Sequence, residues 1–173
     1  MKGPPVLAWT LFFLYALWAC ALQGVLASPH YLGEWAPDLG LVLMCACAGR
    51  FAPGRAASAA IAVGLARASL GSDPPAALVA GYLGASLLGS LLRIGLEVDR
   101  PLAQAALAGV SAWFIAGLWV AARSAALAMS TPSVAVGAVR LWPLALATAL
   151  ASLLLAPLSA RLPGLAPLGR RRP

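Results

Sequence analysis

Few residues in this chain are of types that catalyse reactions or bind metal ions, and they are scattered. The one histidine, His30, is followed by Glu34 four residues later and by Asp38 beyond it. These side chains are possible metal ligands, but no second histidine or cysteine pair completes a familiar site. Ser86 and Ser111 lie in apolar runs, where a serine nucleophile needs a base that a loop histidine does not supply. We therefore expect a protein that is not an enzyme, with no cofactor and no metal.

One ionisable residue stands out because it interrupts an apolar run. Arg67 lies in AAIAVGLARASLGSDPP, residues 59–75. At the centre of a membrane helix an arginine costs about 2.5–3.5 kcal/mol, but near a helix end its side chain extends to water. Gly71 follows four residues later, so we expect Arg67 to reach the helix end, with Asp73 as its candidate partner. The alternative is a polar contact inside a cavity or at an interface with another protein.

The composition indicates the solvent in which these residues lie. Hydrophobic residues make up 62% of the 173 residues and charged residues 10%, against about 45–50% and about 25% in soluble domains. The apolar residues do not alternate with polar ones, which favours membrane helices over a barrel. We predict an all-α, polytopic membrane protein with a single helical domain over residues 1–162 and a basic cytoplasmic tail over residues 163–173.

Proline, glycine and charged residues divide the chain into about six apolar segments. A membrane-spanning helix needs about 20 residues; the first, fifth and sixth segments satisfy this, the third and fourth are slightly short, and the second is clearly short. The second segment is extended backwards through residues 34–36, is tilted, or crosses only partly. The segments cover residues 4–27, 38–49, 54–71, 75–92, 101–122 and 140–160.

Basic residues are distributed unevenly between the two sides of these segments. With a cytoplasmic N-terminus, and leaving Arg67 aside, nine lysines and arginines fall inside and two outside, which is the asymmetry typical of membrane proteins. Glu34, Asp38 and Asp73 fall outside. We therefore assign the net charge of +7 to topology rather than to nucleic-acid binding, and expect both termini in the cytoplasm. The inside set is Lys2, Arg50, Arg55, Arg93, Arg100, Arg161, Arg170, Arg171 and Arg172, and the outside pair is Arg123 and Arg140.

Small residues recur at every fourth position in the third and fourth segments. This spacing keeps each row on one helix face, where it lets neighbouring backbones approach closely. We expect the two helices to pack tightly, on each other or on a partner. The first segment is bulky instead, and its Trp9 and Phe13 are candidates for contact with lipid or a partner helix. The two rows are Ala56, Ala60, Gly64 and Ala68, and Ala77, Gly81, Ala85 and Gly89.

The middle of the chain, residues 35–113, contains an ordered series of Pro- and Gly-containing motifs. Pro37 and Asp38 open the second segment in APDLGLVLM, and a basic turn follows. Then come GLARASLGSDPP, which contains Gly71, and PLAQAALAG. This order resembles the MreD family of bacterial rod-shape proteins. Members of that family often carry an acidic residue where this chain has Arg67, so a contact made at that position would differ here.

The resemblance implies a scaffold in the bacterial inner membrane that organises lateral peptidoglycan synthesis. MreD-like proteins assemble with MreC, whose single helix and extracytoplasmic domain link them to a transpeptidase and to RodA, while MreB filaments lie on the cytoplasmic face. By resemblance, this chain would bind an MreC-like single-span protein and be surrounded by membrane lipids.

Two other functions remain open from the sequence. One is a substrate-binding membrane subunit of a vitamin-uptake transporter, which also has six small helices and a fold that MreD is thought to share. Its typical Ala-xxx-Ala pattern is missing from the first segment, and polar residues for a ligand pocket are scarce. The other is an intramembrane hydrolase, which the single His30 disfavours.

Overall fold

Helices dominate the structure, as predicted. The computed structural model describes residues 6–48, 51, 53–71, 74–95, 101–126, 139, 141–159 and 161–162, and the regular elements in this part of the chain are all helical. The predicted basic tail, residues 163–173, lies outside the described residues. The helices are α1 (Val6–Leu26), a short 3-10 helix (Gly33–Trp35), α2 (Leu39–Ala48), α3 (Pro53–Leu70), α4 (Pro75–Gly95), α5 (Pro101–Ala126) and α6 (Trp142–Ser159).

Among the described α-helices, α2 is the shortest; it lies at the centre of the bundle and contacts each of the other five. Residues 39–46 are all buried, as expected for a helix that is apolar on every side. The predicted backward extension is wrong, because Gly33–Trp35 form a separate 3-10 helix and α2 begins only at Leu39. Longer helices surround α2, so its 10 residues need not match the thickness of a bilayer.

The predicted close packing of α3 and α4 is present at Gly64. A methyl group added at Gly64 would lie 2.9 Å from the Cα of Val79 on α4, so only glycine allows this approach. The glycines of the second row face α5 instead, where a Cβ at Gly81 would lie 3.0 Å from Ile115 and one at Gly89 would lie 3.2 Å from Leu107. Of the other row members, Ala56, Ala60 and Ala85 are buried, and Ala68 and Ala77 are half-buried. Both rows therefore lie largely inside the chain's own bundle.

Small residues also bring α5 and α6 together. A Cβ at Gly109 would lie 3.0 Å from the carbonyl oxygen of Ala145 and 3.1 Å from the Cβ of Ala149. Close backbone approach through small residues is the usual way in which helices pack where lipid removes the hydrophobic driving force.

The aromatic side chains of α1 contribute more to the core than predicted. Phe12 is fully buried, and its ring centroid lies 5.9 Å from that of Trp9 and 6.0 Å from that of Phe51. Phe13 is half-buried against the same core. The aromatic side chain of α1 that points outward is Trp18, which is 76% exposed.

Among the described residues, two helices have the length and hydropathy of a membrane span: α1, over Val6–Leu26, and α5, over its part Pro101–Ala122. The parts Pro75–Leu91 of α4 and Trp142–Leu155 of α6 are also apolar but shorter. Large apolar side chains lie exposed on α1, α5 and α6, among them Leu14, Phe114 and Leu154. An outer surface of this kind is typical of helices that face lipid or another protein.

Candidate functional site

The most polar site in the described structure is built around Asp38, where the chain enters the bundle. Ala36, Pro37 and Asp38 are all buried just before α2 begins. Oδ1 of Asp38 accepts a hydrogen bond of 2.9 Å from the backbone N–H of Leu41. Asp38 is therefore the N-cap of α2, where a carboxylate satisfies a free N–H group and complements the helix dipole.

Two residues from neighbouring helices hold the same carboxylate. Nη1 of Arg67, on α3, donates to Oδ2 of Asp38 in a salt bridge and also donates to Oη of Tyr82 at 3.0 Å. The Tyr82 hydroxyl, on α4, lies 2.9 Å from Oδ1 and 3.0 Å from Oδ2 of Asp38, to which it donates. Asp38 and Tyr82 are buried, whereas the Arg67 side chain is 25% exposed. Charge-assisted hydrogen bonds of this kind offset the cost of removing both charges from water.

A fourth residue ties α6 to this site. The backbone N–H of Asp38 donates to Oγ1 of Thr148 at 2.9 Å, and Thr148 in turn donates to the carbonyl of Leu144 at 2.7 Å. Thr148 is fully buried. Asp38, Arg67, Tyr82 and Thr148 thus form one network from α2, α3, α4 and α6, which we call the Asp38 network.

Gly40 allows α1 to approach this network. A Cβ at Gly40 would lie 2.9 Å from Cγ1 of Val63, 3.2 Å from Sγ of Cys20 and 3.3 Å from Oη of Tyr82. Any side chain here would therefore displace Val63 and crowd the Cys20 thiol and the Tyr82 hydroxyl. Because Gly40 has no side chain, Cys20 of α1, Val63 of α3 and Tyr82 of α4 can all contact the first turn of α2.

The network lies near one end of the bundle, which we call the polar end because α2 begins there at Asp38 and α3 ends there three residues after Arg67. The 3-10 helix contacts α6 at this end, where the rings of Trp35 and Trp142 meet edge to face at 5.1 Å. Both indoles are about half exposed.

The structure gives Arg67 a partner that the sequence did not indicate. Its salt bridge is to Asp38, 29 residues earlier, whereas Asp73 lies outside the described residues. Asp38, which the sequence places on the outer side at the start of the second segment, caps α2, and its side chain is buried inside the bundle. Of the residues that carry the family resemblance, Pro37 is buried beside Asp38 and Gly71 is exposed just beyond the end of α3.

Sequence reasoning missed Tyr82 and Thr148. A usable signal was present for Tyr82, because a buried tyrosine hydroxyl usually finds a hydrogen-bond partner and α4 is otherwise apolar around it. Thr148 gave no such signal, since a threonine in a membrane helix commonly bonds to its own helix backbone.

The loop residues considered as metal ligands are not gathered with Asp38. His30 and Glu34 are exposed, while Asp38 is buried and bonded to Arg67. Within the ranges that the structure describes, no group of three His, Cys, Asp or Glu side chains is placed to hold a metal ion.

Outside the Asp38 network, three buried side-chain oxygens have no hydrogen-bond partner in the described part of the chain: Oε1 of Gln23, Oγ of Ser111 and Oγ of Ser152. Cys20 and Cys45 are buried in the same bundle.

Comparisons with protein-family models, with curated proteins and with solved structures found no match to this chain. Chemically, the Asp38 network joins four helices through one residue: the Asp38 carboxylate, whose charge Arg67 neutralises, binds α3 and α4 and caps α2, and the Asp38 backbone N–H binds Thr148 on α6. This arrangement holds the helices in position.

Proposed function

We propose that this chain is a non-enzymatic scaffold subunit with six membrane helices, similar to MreD, that binds the transmembrane helix of an MreC-like partner. The observation that carries the proposal is the inward direction of its polar and small residues. The Asp38 network and the glycine contacts of α3, α4 and α5 fix the bundle from within. The outward surface is left to large apolar side chains, which suit lipid or a partner helix.

Arg67 lies at the position where this chain departs from the MreD-like pattern in charge, and its contacts bear on what that position does. The position at which MreD-like proteins often carry an acid is here a base, and its salt bridge is to Asp38 within the same resembling region. A polar contact at this position therefore exists despite the reversed charge. In this proposal Arg67 and Asp38 maintain the scaffold and do not bind the partner directly.

The surface that we propose for the partner helix is the outward face of α1. Leu14, Trp18, Leu22 and Val25 lie three or four residues apart, so they share one helix face, and each is roughly half exposed or more. This face replaces Trp9 and Phe13 as the candidate interface, because those two side chains pack against the chain's own core. An MreC-like partner would in turn connect the chain to a transpeptidase, RodA and MreB.

Photocrosslinking and affinity purification from native membranes test this proposal. A photoreactive residue at position 18 should crosslink to a single-span, MreC-like protein, and Trp18→Ala should reduce recovery of that protein. Phe114→Ala is the matched control, because Phe114 is 50% exposed on the outward side of α5. Equal recovery from both variants would reject α1 as the interface.

A second function, the substrate-binding subunit of a vitamin-uptake transporter, is favoured by one specific observation. Polar residues looked too scarce in the sequence for a ligand pocket, yet Asp38, Arg67, Tyr82 and Thr148 converge at the polar end. The same purification separates the two functions, since recovery of an energising ATPase pair, in place of a single-span protein, would support the transporter.

A further inference from the structure

Within the described part of the chain, the hydrogen bonds of Arg67 use one nitrogen of its guanidinium group. Its hydrogen bonds to Asp38 and Tyr82 both come from Nη1. Nε and Nη2 therefore keep N–H donors that no described group accepts. A guanidinium carries five donors in a planar fork, so it can bind a second acceptor on another edge.

The remaining edge of the Arg67 guanidinium lies at the rim of the polar end. Its side chain is 25% exposed, against 3% for Asp38. Leu65 and Leu70, its neighbours on α3, are about half exposed. Tyr31, Trp35 and Trp142 are exposed at the same end, and such residues are enriched where a membrane helix meets the headgroup layer. A partly exposed cation at this level faces headgroups above and acyl chains beside it.

We infer that Arg67 binds the phosphate of a phospholipid headgroup at the polar end, while its Nη1 stays bonded to Asp38. This inference rests on the membrane location in the proposed function, and it does not depend on the partner helix. Phosphate matches the remaining edge because its oxygens accept two parallel hydrogen bonds from a guanidinium fork. Lysine cannot serve both anions in this way, since its compact ammonium is a single point of charge.

Native mass spectrometry of the purified full chain with dioleoylphosphatidylglycerol tests the inference. Arg67→Lys keeps a positive charge for Asp38 but loses the fork, and we expect about tenfold or more weaker lipid binding, as for the loss of hydrogen bonds to a charged group. Arg55→Lys is the matched control, because it makes the same change near the start of α3 and should leave binding unchanged. Equal binding by Arg67→Lys and the unmodified chain overturns the inference.

A second measurement on the unmodified chain keeps the inference testable if Arg67→Lys does not fold. Thermal unfolding is compared in the presence of phosphatidylglycerol and of a galactolipid with the same acyl chains and no phosphate. We expect stabilisation by the phospholipid alone, and equal stabilisation by both lipids contradicts a phosphate site. Displacement of the phospholipid by millimolar inorganic phosphate would assign the site to free phosphate and also overturn it. The crosslinking result at position 18 is independent of all these outcomes.

Discussion

Asp38 is the residue at which the hydrogen bonds of the Asp38 network converge. It caps α2 through Leu41 and binds Arg67 and Tyr82 on two other helices. In a low-dielectric interior, the loss of one member leaves the others without their partners. The network is therefore suited to testing at single residues.

Neutralising Asp38 should be strongly destabilising. In Asp38→Asn, the Arg67 cation keeps Tyr82 but loses its counter-charge in a largely buried site, and breaking such a pair costs on the order of 3 kcal/mol. Thermal unfolding in detergent should show a clear fall in Tm. The double variant Asp38→Asn/Arg67→Gln should recover part of the loss, because no unpaired charge remains. A double variant as unstable as the sum of the two single variants would show that the two side chains are not coupled.

Removing the Thr148 hydroxyl should have a smaller effect. Thr148→Val keeps the shape of the side chain but leaves the buried N–H of Asp38 without its acceptor, at a cost of about 1–3 kcal/mol. Thr10→Val is the control, since the Thr10 hydroxyl bonds only to the carbonyl of Val6 on an exposed part of α1. Chemical unfolding of both variants measures the difference, and a Thr148→Val variant as stable as Thr10→Val would argue against the contact between α2 and α6.

Among the elements, α3 and α4 make the contact that is most sensitive to side-chain size. Gly64→Ala places a methyl group 2.9 Å from the backbone of Val79, and backbone cannot rotate away as a side chain can. We expect a loss of about 1–3 kcal/mol from overpacking. Gly117→Ala on α5, where an added Cβ meets nothing within 4 Å, should be neutral or slightly stabilising because alanine favours helix. Similar Tm values for the two variants would contradict the close approach of α3 and α4.

Helix positions were predictable from the sequence to a greater degree than helix contacts. The apolar segments at residues 75–92 and 101–122 match α4 and the greater part of α5, because proline begins each run. The segment at 38–49 was also found, but its central place was not, since a length below about 20 residues is informative only for a helix that faces lipid. Burial of α2 by its neighbours removes that constraint.

The site could be predicted only in part, for a similar reason. Arg67 was visible because it is charged within an apolar run. Its pairing with Asp38 was not visible, because 29 residues separate the two and Asp73 is nearer in sequence. The packing of α2 against α3 determines that Arg67 pairs with Asp38, and the local sequence around either residue does not indicate this packing.

For the whole molecule, the central prediction is its topology. Two helices in the described part of the chain meet the criteria for a membrane span, whereas six spans and cytoplasmic termini belong to the proposed function. Protease-cleavable tags on the N- and C-termini should both stay intact when protease is added to the extracytoplasmic face. An internal control tag after Ser28, in the exposed loop between α1 and α2, should be cleaved under the same conditions. Finding the two terminal tags on opposite faces of the membrane would contradict the six-span arrangement.

The central position of α2 also has a consequence for how the protein is made. A nascent chain that has emerged only as far as α2 holds the acid of Asp38 without the base of Arg67, and it lacks most of the helices that later enclose α2. The hairpin of α2 and α3 is the smallest piece in which this charge is neutralised. In the proposed membrane topology, α2 should therefore enter the bilayer only after α3 has been synthesised, so that the two helices enter together.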